Sequence, residues 1–111
     1  MTECIFCKII DKKLPADIFF ENEKIIVFKD TKPKAPVHLL ILPKEHIVSV
    51  DKVEEKDKDI LGSLLLVAKE VAKEVGINDT GYKLTINVGE GAGQEVPHLH
   101  IHLLGGWKLE N

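Results

Sequence analysis

Apolar residues recur every three or four positions between residues 57 and 76, and charged residues occupy the positions between them. This spacing predicts a long amphipathic helix with one face turned to a core. Asp57 or Asp59 is suited to cap its start, and Gly76 is suited to end it. The predicted buried stripe consists of Ile60, Leu61, Leu64, Leu65, Ala68, Val71, Ala72 and Val75.

A second, shorter helical pattern begins at Cys4 and stops before Leu14 and Pro15. Runs rich in β-branched and aromatic residues predict five strands, at residues 17–22, 24–30, 37–43, 82–89 and 96–106. A tight turn around Asn22 and Glu23 joins the first two strands. Most connections are too short for the helices that parallel strands require. We therefore expect an α+β domain: an antiparallel sheet of about five strands, with one long and one short helix packed on one face.

The 111 residues suit one domain, spanning residues 1–111. Hydrophobic residues make up 44% and charged residues 30%, and the net charge is −3, which is typical of a soluble globular protein. The mild acidity argues against a nucleic-acid partner, because such domains usually carry a concentrated basic surface. No apolar run is long enough to cross a membrane, and no export signal is visible, so we expect a cytoplasmic protein.

Three of the five histidines stand at alternate positions in the segment VPHLHIHLLGG, residues 96–106. On a strand, His98, His100 and His102 share one face, with successive imidazoles about 6.6–7 Å apart along the chain. Such a cluster is able to surround one small ligand group or one metal ion, and it suits pKa tuning for catalysis. A solvated strand face and an open catalytic zinc site are the alternatives that spacing alone leaves.

Two further motifs have weaker signals. The segment GEGAGQ supplies Gly89, Gly91 and Gly93, which suit a backbone cradle for phosphate but also an ordinary turn. Cys4 and Cys7 are separated by two residues, a spacing typical of a metal or redox site in a chain without an export signal. Two cysteines alone do not complete a tetrahedral site.

The segment PHLHIHLL resembles the signature of the histidine triad family, in which histidines alternate with hydrophobic residues. The similarity extends through CIFCKII, FKDTKPKAPVHLLILPKEHI, INVGEGAGQEV and HLLGGW, and is greatest to the Hint branch of homodimeric purine nucleoside phosphoramidases. The resemblance implies that His100 is the nucleophile, which attacks the α-phosphorus and forms a nucleotidyl-histidine. It also implies that His102 and His38 assist through phosphate contact and proton relay.

The same resemblance implies a substrate site for a purine nucleotide. Asp30 corresponds to the acceptor for the ribose hydroxyls, although its position alone is also typical of a turn. Glu95 stands where many eukaryotic relatives carry a serine that helps to protonate the leaving amine, so the leaving-group preference stays open. The base pocket is assigned to Ile5, Phe6, Ile9 and Phe28, and the phosphate region to Asn87, Gly93, Gln94 and Glu95.

Some bacterial relatives with two such cysteines bind zinc, which implies a closed structural Zn²⁺ site of Cys4, Cys7, His46 and His98. The alternative is a pair of free buried thiols. Two rival functions also stay open: hydrolysis of dinucleoside polyphosphates, and a zinc-binding protein that senses nucleotides and whose catalysis is vestigial. The resemblance further implies a homodimer.

Overall fold

The computed structural model describes residues 4–109. It contains two helices, α1 (Ile5–Ile10) and α2 (Lys58–Glu74), together with three short 3₁₀ turns. The five strands are β1 (Ile18–Glu21), β2 (Ile25–Lys29), β3 (Val37–Pro43), β4 (Tyr82–Thr85) and β5 (Ile101–Gly105).

The strands form one antiparallel sheet in the order β1-β2-β3-β5-β4. β5 lies between β3 and β4, with Ile101 opposite Ile41 and His102 opposite Leu40. On the other side of β5, His102 is opposite Thr85. The expected α+β architecture is confirmed, and the register places a histidine near the middle of the sheet.

The two helices cover opposite faces of the sheet, so the expectation that both pack on one face is wrong. Side chains of α2 pack with Val27, Ile41 and Leu103, which point to one face. Side chains of α1 pack with the alternate residues of the same strands, such as Phe28 in β2 and Leu40 in β3, which point to the other face. Because β2 and β3 are apolar at nearly every position, both of their faces need cover, as in a strand that is buried on both sides.

Helix α2 ends as the sequence predicts. Gly76 adopts a positive φ of 79°, and the N–H groups of Gly76 and Ile77 donate to the carbonyls of Lys73 and Ala72, which closes the last turn. Leu65, however, was predicted to be buried and is 52% exposed, because it lies at the edge of the packed stripe. Among residues 4–109, neither helix has the length and hydrophobicity needed to cross a bilayer.

The last strand is shorter than predicted, and so is its neighbour. β5 begins at Ile101 rather than near residue 96, because Pro97 has no N–H to donate and Leu99 donates its N–H to Ile47 instead of to a strand. β4 ends at Thr85, which is opposite His102 and is the last β4 residue in the register with β5. His98 and His100 therefore lie on an irregular segment before β5, and only His102 belongs to the strand.

Candidate functional site

The three histidines all lie on the α1 side of the sheet, although only one is in a strand. His98 and His100 are buried, and His102 is half-buried. Phe6, from α1, places its ring edge-to-face against both His98 and His100, with centroid distances of 6.1 and 5.1 Å. The rings of His100 and His102 lie 4.9 Å apart. These two imidazoles are thus closer than the spacing expected along a regular strand.

The backbone fixes the tautomer of His100. Its Nδ1 lies 2.6 Å from the carbonyl oxygen of His98, and since a carbonyl only accepts, Nδ1 carries the proton. The other ring nitrogen, Nε2, is then an unprotonated lone pair in the neutral ring. This is the form that a nucleophilic imidazole needs.

A second chain of hydrogen bonds fixes His38 and His102. The backbone N–H of Lys34 donates to Nδ1 of His38 at 3.1 Å, so the neutral ring carries its proton on Nε2. That Nε2–H donates to Nδ1 of His102 at 2.9 Å, and neutral His102 then carries its own proton on Nε2. His102 can therefore present an N–H donor beside the lone pair of His100.

Burial keeps these rings neutral near pH 7. Desolvation lowers the pKa of His102 to about 4, with the neighbouring His100 and His38 acting in the same direction. Desolvation also lowers the pKa of His100 and of His38. For His100, the bond to the His98 carbonyl and the charges of Asp30 and Glu95 oppose this shift, because they stabilise the protonated ring.

Asp30 connects this cluster to the loop before β3. Its Oδ1 accepts the N–H of Lys32 at 2.8 Å, and its Oδ2 lies 3.4 Å from Nε2 of His38. Donor atoms of Asp30, His38 and His102 lie within 4.8 Å of one another, a spacing that also suits a metal ion. Because the Lys34 N–H leaves the proton of His38 on Nε2, the set favours proton relay over metal coordination.

The structure brings together the four residues predicted to bind zinc. The donor atoms of Cys4, Cys7, His46 and His98 all lie within 4.8 Å of one another. Nδ1 of His98 is 3.5 Å from Sγ of Cys4 and 3.7 Å from Sγ of Cys7, which is 3.3 Å from Nδ1 of His46. Tetrahedral zinc with ordinary bond lengths sets sulfur-to-nitrogen distances of about 3.5–3.6 Å. The cluster therefore fits zinc with little rearrangement.

The chemistry of these donors also fits a cation. Burial and the adjacent Cys4 sulfur raise the pKa of the Cys7 thiol to about 11, so two thiolates at this place need a positive charge between them. Desolvation lowers the pKa of His98 to about 4. Its Nε2–H donates to the carbonyl of Pro43 at 2.7 Å, which leaves Nδ1 free and facing the sulfurs.

The residues assigned to the purine pocket lie on the α1 side of the sheet, as the three histidines do. Phe6, Ile9 and Phe28 are buried in one cluster, and Phe6 and Phe28 meet edge-to-face at 5.4 Å. Ile5, at the start of α1, is 53% exposed. The first three are thus core residues, of which Phe6 lies beside His100, while Ile5 has a surface free for contact.

The residues assigned to phosphate binding lie on the loop of residues 86–95, the glycine loop, which joins β4 to the histidine segment, residues 96–100. Nδ2 of Asn87 donates to the carbonyl of Ala92 at 2.8 Å, which braces the loop from inside. Gly93 adopts a positive φ of 88°. Glu95 is exposed, and the amide of Gln94 is bonded to backbone groups on three sides.

Two backbone groups of the site were not predicted from the sequence. They are the carbonyl of Pro43 and the N–H of Lys34, which fix the tautomers of His98 and His38. No side-chain pattern marks them, since every residue offers a carbonyl and almost every residue an N–H. Only the folded arrangement decides which of these groups reaches a ring.

The sequence and fold have clear relatives. Residues 3–108 match the family described as scavenger mRNA decapping enzyme C-term binding. The 14 kDa zinc-binding protein of Zea mays is 48% identical over 107 residues, covering 95% of this chain and 83% of that protein. A HIT family hydrolase from Clostridium thermocellum superposes with a TM-score of 0.94 at 47% identity, covering 100% of this chain and 96% of the other.

A histidine triad nucleotide-binding protein from Candida albicans superposes with a TM-score of 0.82 at 34% identity, covering 98% of this chain and 85% of the other. These similarities span the whole sheet, both helices and the histidine segment. The resemblance noted in the sequence is thereby confirmed, and the chain belongs to the histidine triad (HIT) family.

Proposed function

We propose that the protein is a nucleotide hydrolase that cleaves purine nucleoside 5′-phosphoramidates through a covalent nucleotidyl-histidine on His100. The observation that carries the proposal is the bond from Nδ1 of His100 to the His98 carbonyl, which leaves Nε2 as a neutral lone pair. The names of the relatives agree with the coarser activity, since one is a hydrolase and another a nucleotide-binding protein.

In the first step, Nε2 of His100 attacks the α-phosphorus and forms a nitrogen–phosphorus bond. The bond from phosphorus to the leaving amine breaks, its electron pair departs with the amine, and the amine takes up a proton from solvent. The ring of His100 becomes cationic. The His98 carbonyl and the charges of Asp30 and Glu95 all favour that cation, which lowers the energy of the intermediate.

In the second step, water attacks the phosphorus, the bond to Nε2 breaks, and a nucleoside monophosphate is released with a proton to solvent. Throughout both steps, negative charge grows on the phosphoryl oxygens. His102 can donate its Nε2–H to one of them, and His38 keeps His102 in the tautomer that has this proton. Both residues thus act through charge stabilisation that is already in place before substrate binds.

The substrate is placed by groups on both sides of the nucleophile. Asp30 has lone pairs beyond those used by Lys32 and His38, which suits it to accept from ribose hydroxyls. The purine lies against the apolar side of α1, where Ile5 is exposed beside the buried Phe6. Asn87, Gly93 and Glu95 border the phosphate from the glycine loop.

Zinc has a structural role in this proposal. A site with four protein ligands is closed, so a metal there contributes folding energy and has no open position for substrate. The Zea mays relative is named as a zinc-binding protein, which supports the assignment of Cys4, Cys7, His46 and His98. His100 and His102 lie outside this ligand set and stay available for chemistry.

The active form is proposed to be a homodimer. β4 is an edge strand, whose unpaired backbone groups are a ready template for another chain, and its Leu84 is 39% exposed. Leu65 on α2 is exposed on the same side of the sheet, since Leu84 is opposite Leu103 in the register and Leu103 packs with α2. Sedimentation should show a dimer, and Leu65→Asp should shift it to monomer. A monomeric wild-type protein contradicts this part.

The test of the activity uses adenosine 5′-phosphoramidate and diadenosine tetraphosphate side by side. We expect the first to be cleaved faster, and acid quenching to trap one nucleotidyl group on His100. His100→Ala should lower turnover by at least about 10³-fold while adenosine monophosphate still binds. Faster cleavage of the polyphosphate would reassign the substrate class. Retained turnover in His100→Ala would refute the mechanism, and absence of turnover on both substrates would leave a nucleotide-sensing protein.

A further inference from the structure

The nucleophile lies on a segment that the sheet does not hold. β5 begins at Ile101, so the residues from Val96 to His100 have no strand ladder to fix them. The carbonyl of His98 nevertheless has to stay in place, because it sets the tautomer of His100. Isolated bonds replace the ladder, including Leu99 N–H to Ile47 carbonyl at 2.6 Å and His98 N–H to Val96 carbonyl at 2.8 Å.

The side chain of Gln94 joins this segment to two others. Its Oε1 accepts the N–H of Gly89 at 2.8 Å, where the glycine loop begins. Its Nε2 donates to the carbonyl of Val48 at 2.7 Å and to the carbonyl of Val96 at 3.0 Å. The Val96 carbonyl is the same group that accepts the N–H of His98. One amide thus connects the glycine loop, the chain after β3 and the histidine segment.

We propose that Gln94 is a positioning residue, which holds the His98 carbonyl in place for His100 and keeps the glycine loop in register with it. The proposal rests on the proposed function, in which His100 is the nucleophile. It assigns Gln94 a role different from the direct phosphate contact that the resemblance implies. Gln94 acts through Val96 and His98 and does not touch the reacting atoms.

The hydrogen-bond capacity of the amide supports this role. Nε2 has two protons, and they have two acceptors, the carbonyls of Val48 and Val96. Donation from Gln94 to a substrate phosphate requires the loss of one of these bonds. A small displacement of the nucleophile has large kinetic consequences, since misplacement by about 1 Å is able to cost about 10²-fold in rate.

Two variants distinguish the roles of the amide oxygen and the amide nitrogen of Gln94. Gln94→Met keeps a similar length and removes all three bonds. Gln94→Glu keeps an acceptor for Gly89 but sets a carboxylate oxygen against the carbonyls of Val48 and Val96 and adds a negative charge, so it tests the loss of donation together with that charge, and Gln94→Met tests the loss of the bonds without a charge. Asn22→Ala is the matched control, because Asn22 also braces a turn through its side chain, accepting N–H groups of Lys24 and Ile25 at 2.9 and 2.8 Å in the turn between β1 and β2.

The readout that does not depend on turnover is the Nδ1 proton of His100, followed by NMR in the full-length protein without nucleotide. Both Gln94 variants should exchange this proton at least about 10-fold faster than wild type, and the Asn22→Ala protein should match wild type. In the phosphoramidate assay, kcat of the Gln94→Met protein should fall about 10- to 100-fold while its Kd for adenosine monophosphate changes less than about 3-fold.

Three results would overturn the proposal. An unchanged Nδ1 proton together with a Kd raised about 10-fold makes Gln94 a direct substrate ligand. An equal change in the Asn22→Ala protein means general loosening of the fold. An unchanged kcat with an altered proton means that the position of His98 does not limit catalysis. If no phosphoramidate is cleaved by wild type, the proton exchange still decides whether Gln94 positions His100.

Discussion

Removal of zinc should destabilise the protein without abolishing its chemistry. The donor atoms of Cys4, Cys7, His46 and His98 already stand at distances close to those around tetrahedral zinc, so binding needs little reorganisation. Metal that binds only the folded form stabilises it by about 2.7 kcal/mol when its free concentration is about 100 times the Kd. The entropy of unfolding is about 2.1 cal/mol/K per residue, or about 0.23 kcal/mol/K for this chain. The expected loss of Tm is therefore about 12 °C.

The assay combines metal analysis, calorimetry and turnover on one preparation. Zinc-loaded protein should contain one zinc per chain, and a strong chelator should lower its Tm by about 12 °C. Cys7→Ser should have the low Tm from the start, and the chelator should change it no further, which shows that the two treatments act on one site. At a temperature well below either Tm, the chelated wild-type protein should keep most of its turnover, because His100 and His102 are not ligands.

Three results would refute this reasoning. Protein purified with ample zinc that contains none would show that the cysteines are free thiols. A chelator effect on Cys7→Ser as large as on wild type would place the metal elsewhere. Immediate loss of turnover at unchanged fold would make the metal catalytic, as in an open zinc site, and would remove the structural role assigned to the Cys/His cluster.

The remaining predictions concern pH and packing. The pKa of His102 lies at about 4 instead of about 6.5, so the folded protein keeps this ring neutral down to about pH 4, while the contribution of the neutral ring to stability is complete above pH 6.5 and is lost progressively as the pH falls from 6.5 toward 4. The urea midpoint should fall in that window, whereas the acid limb of kcat/KM should lie near pH 4, and an acid limb at or above pH 6.5 contradicts the assignment. Gly105→Ala should cost about 1–3 kcal/mol in urea unfolding, because its Cβ would stand 2.7 Å from Cδ1 of Ile77 and 3.1 Å from Cβ of Tyr82. Gly91→Ala is its control, because the added Cβ has no heavy atom within 4 Å, and it should change the free energy of unfolding by less than about 0.5 kcal/mol. Equal effects of the two substitutions would show that packing at Gly105 is not the cause.

The pattern along the chain determined most of the local structure. The spacing of apolar residues located α2, and Gly76 marked its end through the positive φ that glycine tolerates. Asn22 marked the turn between β1 and β2, where its side chain accepts two backbone N–H groups. These features are local, because a helix, a cap or a tight turn depends on residues within a few positions of one another.

The same pattern did not determine how the layers stack. Alternation along β2 and β3 is nearly absent, since both of their faces are apolar, and so the sequence did not reveal that α1 and α2 lie on opposite sides. Leu65 fits the helical stripe but lies beyond the part of it that the sheet covers. The width of the helix stripe that becomes buried depends on the position of the sheet, and the periodicity of the sequence carries no information about that position.

The sequence by itself supplied the donor groups of the site, and the tertiary structure decided how they are used. The alternation of histidines showed that one region carries them, yet Pro97 takes His98 and His100 out of the strand. The cysteines at positions 4 and 7 meet histidines 46 and 98 only because α1 folds onto the sheet. The tautomers of the histidines depend on tertiary structure alone, because two backbone carbonyls and one backbone N–H fix them. Any peptide group is able to bond an imidazole, and only the fold selects the group within reach of each ring.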